Sequence, residues 1–458
     1  MASFDVLILG SGQAGVPLAT RLAASGRRVA LVERANLGGT CVNAGCTPTK
    51  TMIASATAAH VARRAGRLGV RTGTVEVDLG AVVARKDAIV EQWRAGIRRR
   101  LEAAGPGLRL VRGAARFVGP RQVEVGGERL SAPTVIVNVG ARPTVPGLPG
   151  LDRVPFLTST SALAQRELPR RLVVLGGGFI GCEMGQMFRR FGAEVTIVHA
   201  NPHLLEREDD ETSAALEGAF REEGLELVLG NRAERAEASR AGVAVALAGG
   251  RGVEGSHLLV ATGRTPNTAD LGCDAASIAL DGRGYVKVDA RYRTSAEGVY
   301  AVGDCTGGPQ FTHSSWDDHR ILFDLLNGTG TRTRDDRLVP HVAFTDPQVA
   351  GVGLTVREAR TRGIRHEVAT MPFASIARAI ELDETAGTMT LVLDPGDERI
   401  LGASIVGREA GELIHVVAVL MQAGATARAL VDVEMAHPTL CEGLQSLAMK
   451  LDRYALRP

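Results

Sequence analysis

Short apolar runs that end at glycine and are followed by a stretch with helical spacing recur along this chain of 458 residues. The first run, residues 5–9, leads into Gly10-Ser11-Gly12-Gln13-Ala14-Gly15 and then into VPLATRLAASG, whose pattern closes at Gly26. A continuous apolar run, a glycine turn and a 3.6-residue period in that order predict strand, turn and helix. Another strand is expected at 28–32 and ends in Glu33. The same device returns at 171–175, followed by Gly176-Gly177-Gly178-Phe179-Ile180-Gly181, a helical stretch to Phe191 and a strand at 194–198.

Between these repeats, 87–104 reads as an exposed helix and 108–125 as short strands around GAARFVG. The strand TVIVNVG runs into Ala141-Arg142-Pro143 and VPGLPG, and HLLVATG ends at Gly263-Arg264-Thr265-Pro266-Asn267. Proline and glycine at both places suit crossings between domains. VYAVGD ends a buried strand with Asp304, and a helix is expected from about 315 to 326. Past Pro340, strands such as MTLVLD and ILGASIV alternate with amphipathic helices, which predicts a separate α+β unit. The resulting expectation is an α/β chain with two Rossmann-like nucleotide-binding domains.

Each glycine turn has a physical meaning in this setting. Gly10, Gly12 and Gly15 allow a tight turn and close backbone approach, the following helix offers its N-terminus to a pyrophosphate, and an acid about 20 residues on, Glu33, can bind a ribose. Gly176, Gly178 and Gly181 repeat the arrangement, so one chain carries two dinucleotide sites.

Composition narrows the class. Lys plus Arg number 53 against 51 Asp plus Glu, so net charge gives no argument for nucleic acid or a membrane as partner. Six cysteines in a chain this long are not a disulfide framework, and a reducing, cytoplasmic compartment is expected. An apolar strand starting at Asp5 leaves no room for a signal core, and no run reaches 18 apolar residues. The 55 glycines fit either close ligand approach or a coding bias.

Chemistry concentrates in Gly38-Gly39-Thr40-Cys41-Val42-Asn43-Ala44-Gly45-Cys46-Thr47-Pro48-Thr49-Lys50. Its two cysteines stand five positions apart, just before an expected helix whose N-terminus, together with Lys50, favours thiolate over thiol. The alternatives are a metal site or inert thiols, but zinc normally takes four ligands and no second Cys/His pair of suitable spacing is present, so no metal is expected. His437 and Glu442 are five apart, and a carboxylate that orients an imidazole suits it to proton transfer with a thiol leaving group.

GGTCVNAGCTPTK resembles the active-site signature of the pyridine nucleotide-disulfide oxidoreductases, the class of dihydrolipoamide dehydrogenase, glutathione reductase and mercuric reductase. The resemblance spans the chain through both fingerprints, Ala261-Thr262-Gly263-Arg264, Gly303-Asp304 and His437-Pro438-Thr439 with Glu442. It implies a glutathione-reductase-like fold: an FAD domain in two segments, 1–147 and 268–335, an NAD(P)H domain at 148–267 and a dimerisation domain at 336–458. It implies FAD on the first fingerprint, with Glu33 on the adenosine ribose, Asp304 on the flavin side, and further contacts from Gly39, Thr40, Ala115, Gly140, Gly263 and Arg264. Lys50 would sit by the flavin paired with Glu183, and Phe179 would cover the flavin until nicotinamide displaces it. Cys46 would face the isoalloxazine and Cys41 would exchange with substrate. His437 would serve the other subunit's cysteines, which makes the expected protein a homodimer with a shared active site.

Two features depart from the family pattern. The strand after the second fingerprint ends in His199 where NAD enzymes place an acid, and with Arg207 beyond it this favours NADPH, with NADH still possible. CTPTK and Phe311-Thr312-His313-Ser314-Ser315-Trp316-Asp317-Asp318 look like mercuric-reductase-like flavoproteins, yet the C-terminus lacks vicinal cysteines and the N-terminus a metal-capture domain. The expected activity is electron transfer from NAD(P)H through FAD and the cysteine pair to a small disulfide or related oxidant. Mercuric reductase, dihydrolipoamide dehydrogenase and a non-turnover flavin subunit are the alternatives. Cys182, Cys273, Cys305 and Cys441 are expected to be structural, Cys441 inside a packed helix.

Overall fold

A computed structural model describes residues 2–451 and 453–454. The chain forms two compact units: Met1–Met52, Ala81–Thr144 and Gly263–Arg337 in the first, and Ile53–Gly80, Val145–Thr262 and Leu338–Pro458 in the second.

The first unit is built on a parallel five-stranded sheet in the order Val299–Ala301, Thr134–Val137, Val6–Leu9, Val29–Glu33, Leu108–Arg112. Its central strand, Val6–Leu9, is apolar and buried at every position because both faces are covered. Leu7, Leu9, Ala30 and Val32 pack into one core, while Val6, Ile8, Val29 and Leu31 pack into another with Leu18 and Leu22 of the helix Gly15–Ala24. Ile321 and Leu322 of the helix Thr312–Leu326 join that second core. A four-stranded sheet containing Ala115–Gly119 lies in the same unit, and Ala141–Pro143 pairs antiparallel with Arg264–Pro266 where the chain leaves and returns.

The second unit repeats the parallel motif, with strand order Leu157–Thr158, His257–Val260, Arg171–Leu175, Glu194–Val198, Glu226–Val228. A short antiparallel sheet, Ala233–Ser239, Gly242–Leu247 and Gly252–Gly255, accompanies it. Residues past Leu338 form an antiparallel sheet in the order His341–Ala343, Gln348–Gly353, Ile400–Gly407, Thr388–Leu393, Glu367–Pro372. Helices Ala410–Gln422 and Glu442–Ala448 contribute to its core. No helix among the described residues is long and apolar enough to cross a membrane.

Several elements differ in extent from the pattern-based expectation. The helix expected at 87–104 runs Leu79–Ala103, because Leu79, Val83, Lys86 and Val90 form its buried stripe and the lysine hides the period. The helix expected at 315–326 starts at Thr312, and the strand expected to end at Asp304 stops at Ala301, leaving Asp304 in the single turn Gly303–Thr306. Cys41 lies in a short helix of its own, Gly39–Ala44, and the next helix begins at Cys46 itself.

Candidate active site

In the first unit, strand Val6–Leu9 delivers Gly10 in a left-handed conformation, φ 110°. A Cβ at Gly15 would stand 2.0 Å from the Gly10 carbonyl oxygen, and one at Gly39 would stand 2.7 Å from Gly12 Cα. The cysteine-bearing segment is therefore packed directly on the glycine turn, with backbone where other residues would place side chains. Glu33 is 8% exposed and accepts hydrogen bonds from Ser11 N (3.0 Å), Ser11 Oγ (2.6 Å) and Ala35 N (2.7 Å). Turn, helix N-terminus and strand-end acid fit a dinucleotide such as FAD.

A second cluster gathers in the same unit. The Ala141 carbonyl, just after Gly140, accepts from Thr40 Oγ1 (3.5 Å) and from the Arg264 guanidinium (2.6 Å), which also lies 3.4 Å from Asp304 Oδ2. Burial pushes the Asp304 carboxyl up, and the Arg264 charge opposes the shift. Arg264 Nε is buried without a partner, so this cluster keeps an unused donor. Ala115 opens its strand opposite Val125 in the four-stranded sheet, and Gly263 takes φ 133° at the return crossing.

The two cysteines meet across Gly45, where a Cβ would fall 2.9 Å from the Thr40 carbonyl oxygen. Cys46 Sγ is 3.2 Å from Thr312 Oγ1. Cys41 is raised above an ordinary thiol, first by its hydrogen bond with Cys46 and then by burial, while Thr312 and Lys50 pull the other way. This corrects the expectation of a thiolate-favouring site at Cys41. A shared proton makes the pair titrate as a unit, and its second proton is the hard one to remove. In the sequence Thr312 stands only within the pattern at 311–318, without a role of its own, because nothing local ties a threonine at a helix start to Cys46.

In the second unit the turn recurs: Gly176 has φ 116°, and a Cβ at Gly181 would stand 1.9 Å from the Gly176 carbonyl oxygen. A Cβ at Gly178 would meet nothing within 4 Å, leaving the helix Phe179–Phe191 open at its N-terminus. Phe179 is half-buried in the first turn of that helix, and Glu183, 5% exposed, accepts the Phe344 N–H at 2.9 Å. Glu183 thus belongs to the second unit and Lys50 to the first.

The His199 imidazole is not a cation. Its Nδ1 accepts the Gly177 N–H at 3.1 Å, its Nε2 is buried without a partner, and burial lowers its affinity for a proton. The imidazole is therefore neutral, with its proton on Nε2 as a donor. Arg207 is exposed in the same loop, between Glu206 and Glu208.

His437 and Glu442 are brought together as expected from their spacing: Nδ1 and Oε1 are 2.9 Å apart, and Oε2 accepts the Thr439 N–H at 2.7 Å. The Thr439 N–H and then His437 hold the Glu442 carboxyl below its ordinary value. Cys182, Cys273 and Cys305 are buried, with burial pushing the Cys305 thiol up to about 12. Cys441 is half-buried and caps the helix Glu442–Ala448, so it stands at the helix end and not within it. Among the described residues no group of three or more His, Cys, Asp or Glu could hold a metal ion.

Residues 4–318 match the model of the pyridine nucleotide-disulphide oxidoreductases, and residues 339–448 match the dimerisation domain of that family. A mercuric reductase of Staphylococcus aureus is 35% identical over 454 residues, covering 98% of this chain and 83% of its own. A dihydrolipoyl dehydrogenase of Thermus scotoductus is 37% identical over 463 residues, covering 100% of this chain and 99% of its own. A solved structure described as a Cu(II) complex of the HOCl-induced flavoprotein disulfide reductase RclA from Escherichia coli superposes with a TM-score of 0.90 at 35% identity, over 98% of this chain and 99% of that one.

Proposed function

The chain belongs to the pyridine nucleotide-disulphide oxidoreductase family, whose members are FAD-dependent enzymes that use NAD(P)H, and from that premise we propose that it reduces a small disulfide or related oxidant at Cys41 and Cys46. The observation that carries the proposal is the hydrogen-bonded cluster of Cys41, Cys46 and Thr312 packed beside the first glycine turn. Bound FAD would take a hydride from the nicotinamide and pass an electron pair to the Cys41–Cys46 disulfide.

The protein's own groups account for the remaining chemistry. Cys41, its proton passing to Cys46 across their hydrogen bond, attacks one sulfur of the substrate disulfide, releasing the first thiolate and forming a mixed disulfide. Cys46 then attacks Cys41, releasing the second thiolate and restoring the internal disulfide. Thr312, within hydrogen-bonding reach of Cys46, stabilises a negative sulfur there. His437 of the partner subunit, oriented by Glu442, gives a proton to a leaving thiolate. The family's dimerisation domain at 339–448 supports that assembly.

NADPH is the proposed preferred reductant, supported by the absence of an acid at 199, the Nε2–H donor of His199 and the exposed Arg207. A ratio of kcat/KM values that favours NADH would reject this preference.

An anaerobic NADPH titration, followed by a screen of oxidants with wild type and Cys41→Ser, tests the whole reading. Wild type should take up one electron pair beyond the flavin, and Cys41→Ser should not. Equal uptake by both proteins would remove the cysteine pair from the mechanism. A second reading, reduction of a metal ion, is supported by likeness to mercuric reductases and to the Cu(II) complex of RclA. Turnover of Hg(II) or Cu(II) with none of any disulfide would select it.

A further inference from the structure

A second carboxylate–imidazole pair stands in the second unit, unused by the chemistry above. Glu208 ends the loop that follows strand Glu194–Val198, and His341 opens the antiparallel sheet, with Glu208 Oε1 and His341 Nε2 2.7 Å apart. Glu208 is 2% exposed, and its other oxygen, Oε2, is buried with no hydrogen-bond partner. Such a carboxylate is tolerated only against a good partner, so the pair is a built feature and not a surface accident. The sheet makes room for the ring: a Cβ at Gly351 would lie 2.7 Å from the imidazole.

The pair adjoins the second glycine turn. The His341 and Phe179 ring centroids are 6.0 Å apart, and Phe179 lies within the fingerprint itself. The loop that carries Glu208 is fastened to the same turn, Leu205 N donating to the Gly177 carbonyl at 2.9 Å and Gly177 N to His199 Nδ1 at 3.1 Å. Arg357 secures the loop further by donating to the Glu206 and Glu208 carbonyls at 2.5 Å each. Two imidazoles therefore flank one turn, His199 at the strand end where an adenosine ribose would lie and His341 at Phe179.

We propose that His341, oriented by Glu208, binds the nicotinamide half of the pyridine nucleotide. The inference rests on the reading of Gly176–Gly181 as the pyridine nucleotide site. With the pyrophosphate on the helix N-terminus and the adenosine ribose toward His199, the other half of the molecule leaves the turn past Phe179. There the imidazole is 22% exposed, its Nε2 is held by Glu208, and its Nδ1 can meet a ribose hydroxyl. The buried carboxylate fixes the ring's orientation before the nucleotide arrives.

Equilibrium titrations of the holoenzyme with NADP+ and with adenosine 2′,5′-bisphosphate, which lacks the nicotinamide half, separate the possibilities. His341→Ala should weaken NADP+ about tenfold and leave the bisphosphate unchanged, since one hydrogen bond of this kind is worth about that factor. His341→Gln, whose amide NH2 can donate to Glu208 while its oxygen accepts from the ribose hydroxyl, should restore most of the loss. Equal weakening of both ligands in both variants would mean that His341 serves only the fold of the unit, and unchanged NADP+ binding in His341→Ala would mean that it touches no nucleotide. Either result overturns the proposal. If wild type binds neither ligand and no NAD+, or Gly181→Ala binds both as well as wild type does, the reading of the second fingerprint fails first and takes the proposal with it.

Discussion

Glu442→Gln isolates the proton-transfer role of the His437 pair. Glu442 accepts from Thr439 N–H at 2.7 Å through one oxygen and holds His437 Nδ1 at 2.9 Å with the other, which places the ring proton on Nδ1 and leaves Nε2 as the nitrogen that can exchange a proton with substrate. Glutamine has the same shape but one oxygen. If that oxygen stays on Thr439, the amide NH2 faces Nδ1 and drives the ring proton to Nε2; if it turns to the imidazole, NH2 faces the Thr439 N–H. The first arrangement keeps both bonds but puts the ring proton on the wrong nitrogen, and the second loses the Thr439 bond. General acid–base catalysis contributes about 10² to 10⁴ in rate, and because His437 is 70% exposed, water can replace part of it, so a loss of about 30- to 100-fold is expected. Stopped-flow spectroscopy should find flavin reduction by NADPH unchanged and reoxidation by an alkyl disulfide, such as glutathione disulfide, slowed by that factor. An aryl disulfide whose leaving thiolate needs no proton should be slowed little. Equal slowing with both disulfides, or slower flavin reduction, would refute the assignment. Glu442 lies below its ordinary value of 4.5 in the folded protein, so its bonds are fully present above that pH and are lost only as pH falls through the lower folded value. Activity lost on going from pH 7 to 5 therefore belongs to other groups.

Three further outcomes are expected. His319 is 3% exposed and burial lowers its value from 6.5 to about 4, so stability should be full above pH 6.5 and fall as pH drops toward 4. The loss should be about 2 kcal/mol after allowance for screening, and urea midpoints of His319→Asn that decline just as steeply over this window would contradict it. Arg190, 4% exposed on its side chain, pairs with Glu223 at 2.5 Å and Asp346 at 2.9 Å; Arg190→Met should cost about 3 kcal/mol in urea unfolding, and a cost under about 1 kcal/mol would show the pair to be well solvated. Gly181→Ala places a methyl 1.9 Å from the Gly176 carbonyl oxygen, so NADP+ binding should weaken at least about tenfold by titration while FAD content stays at the wild-type level. Loss of FAD from that variant would show that the damage spreads beyond the turn.

The order of strands, glycine turns and helices was legible in the sequence because it is a local matter. An apolar run buried on both faces, a turn that admits no Cβ and a helix with one apolar stripe each announce themselves within a few residues, as at Val6–Leu9, Gly10 to Gly15 and Gly15–Ala24. The five-residue spacings of Cys41 with Cys46 and of His437 with Glu442 are local in the same sense, and both pairs meet. Where the pattern was broken by one polar residue in a buried stripe, as by Lys86, the element was read short.

Tertiary packing alone decided the electrostatics and the distant partners. Thr312 reaches Cys46 across 266 positions, and Glu208 reaches His341 across 133, separations at which no spacing rule operates. The ionisation of Cys41 and His199 likewise turned on burial and on which neighbour takes the hydrogen bond, so a thiol expected to be easily ionised is raised and the imidazole at 199 is a neutral donor. Residue type and spacing fix what a side chain can do; the surrounding dielectric and the partners folded against it fix which of those things it does.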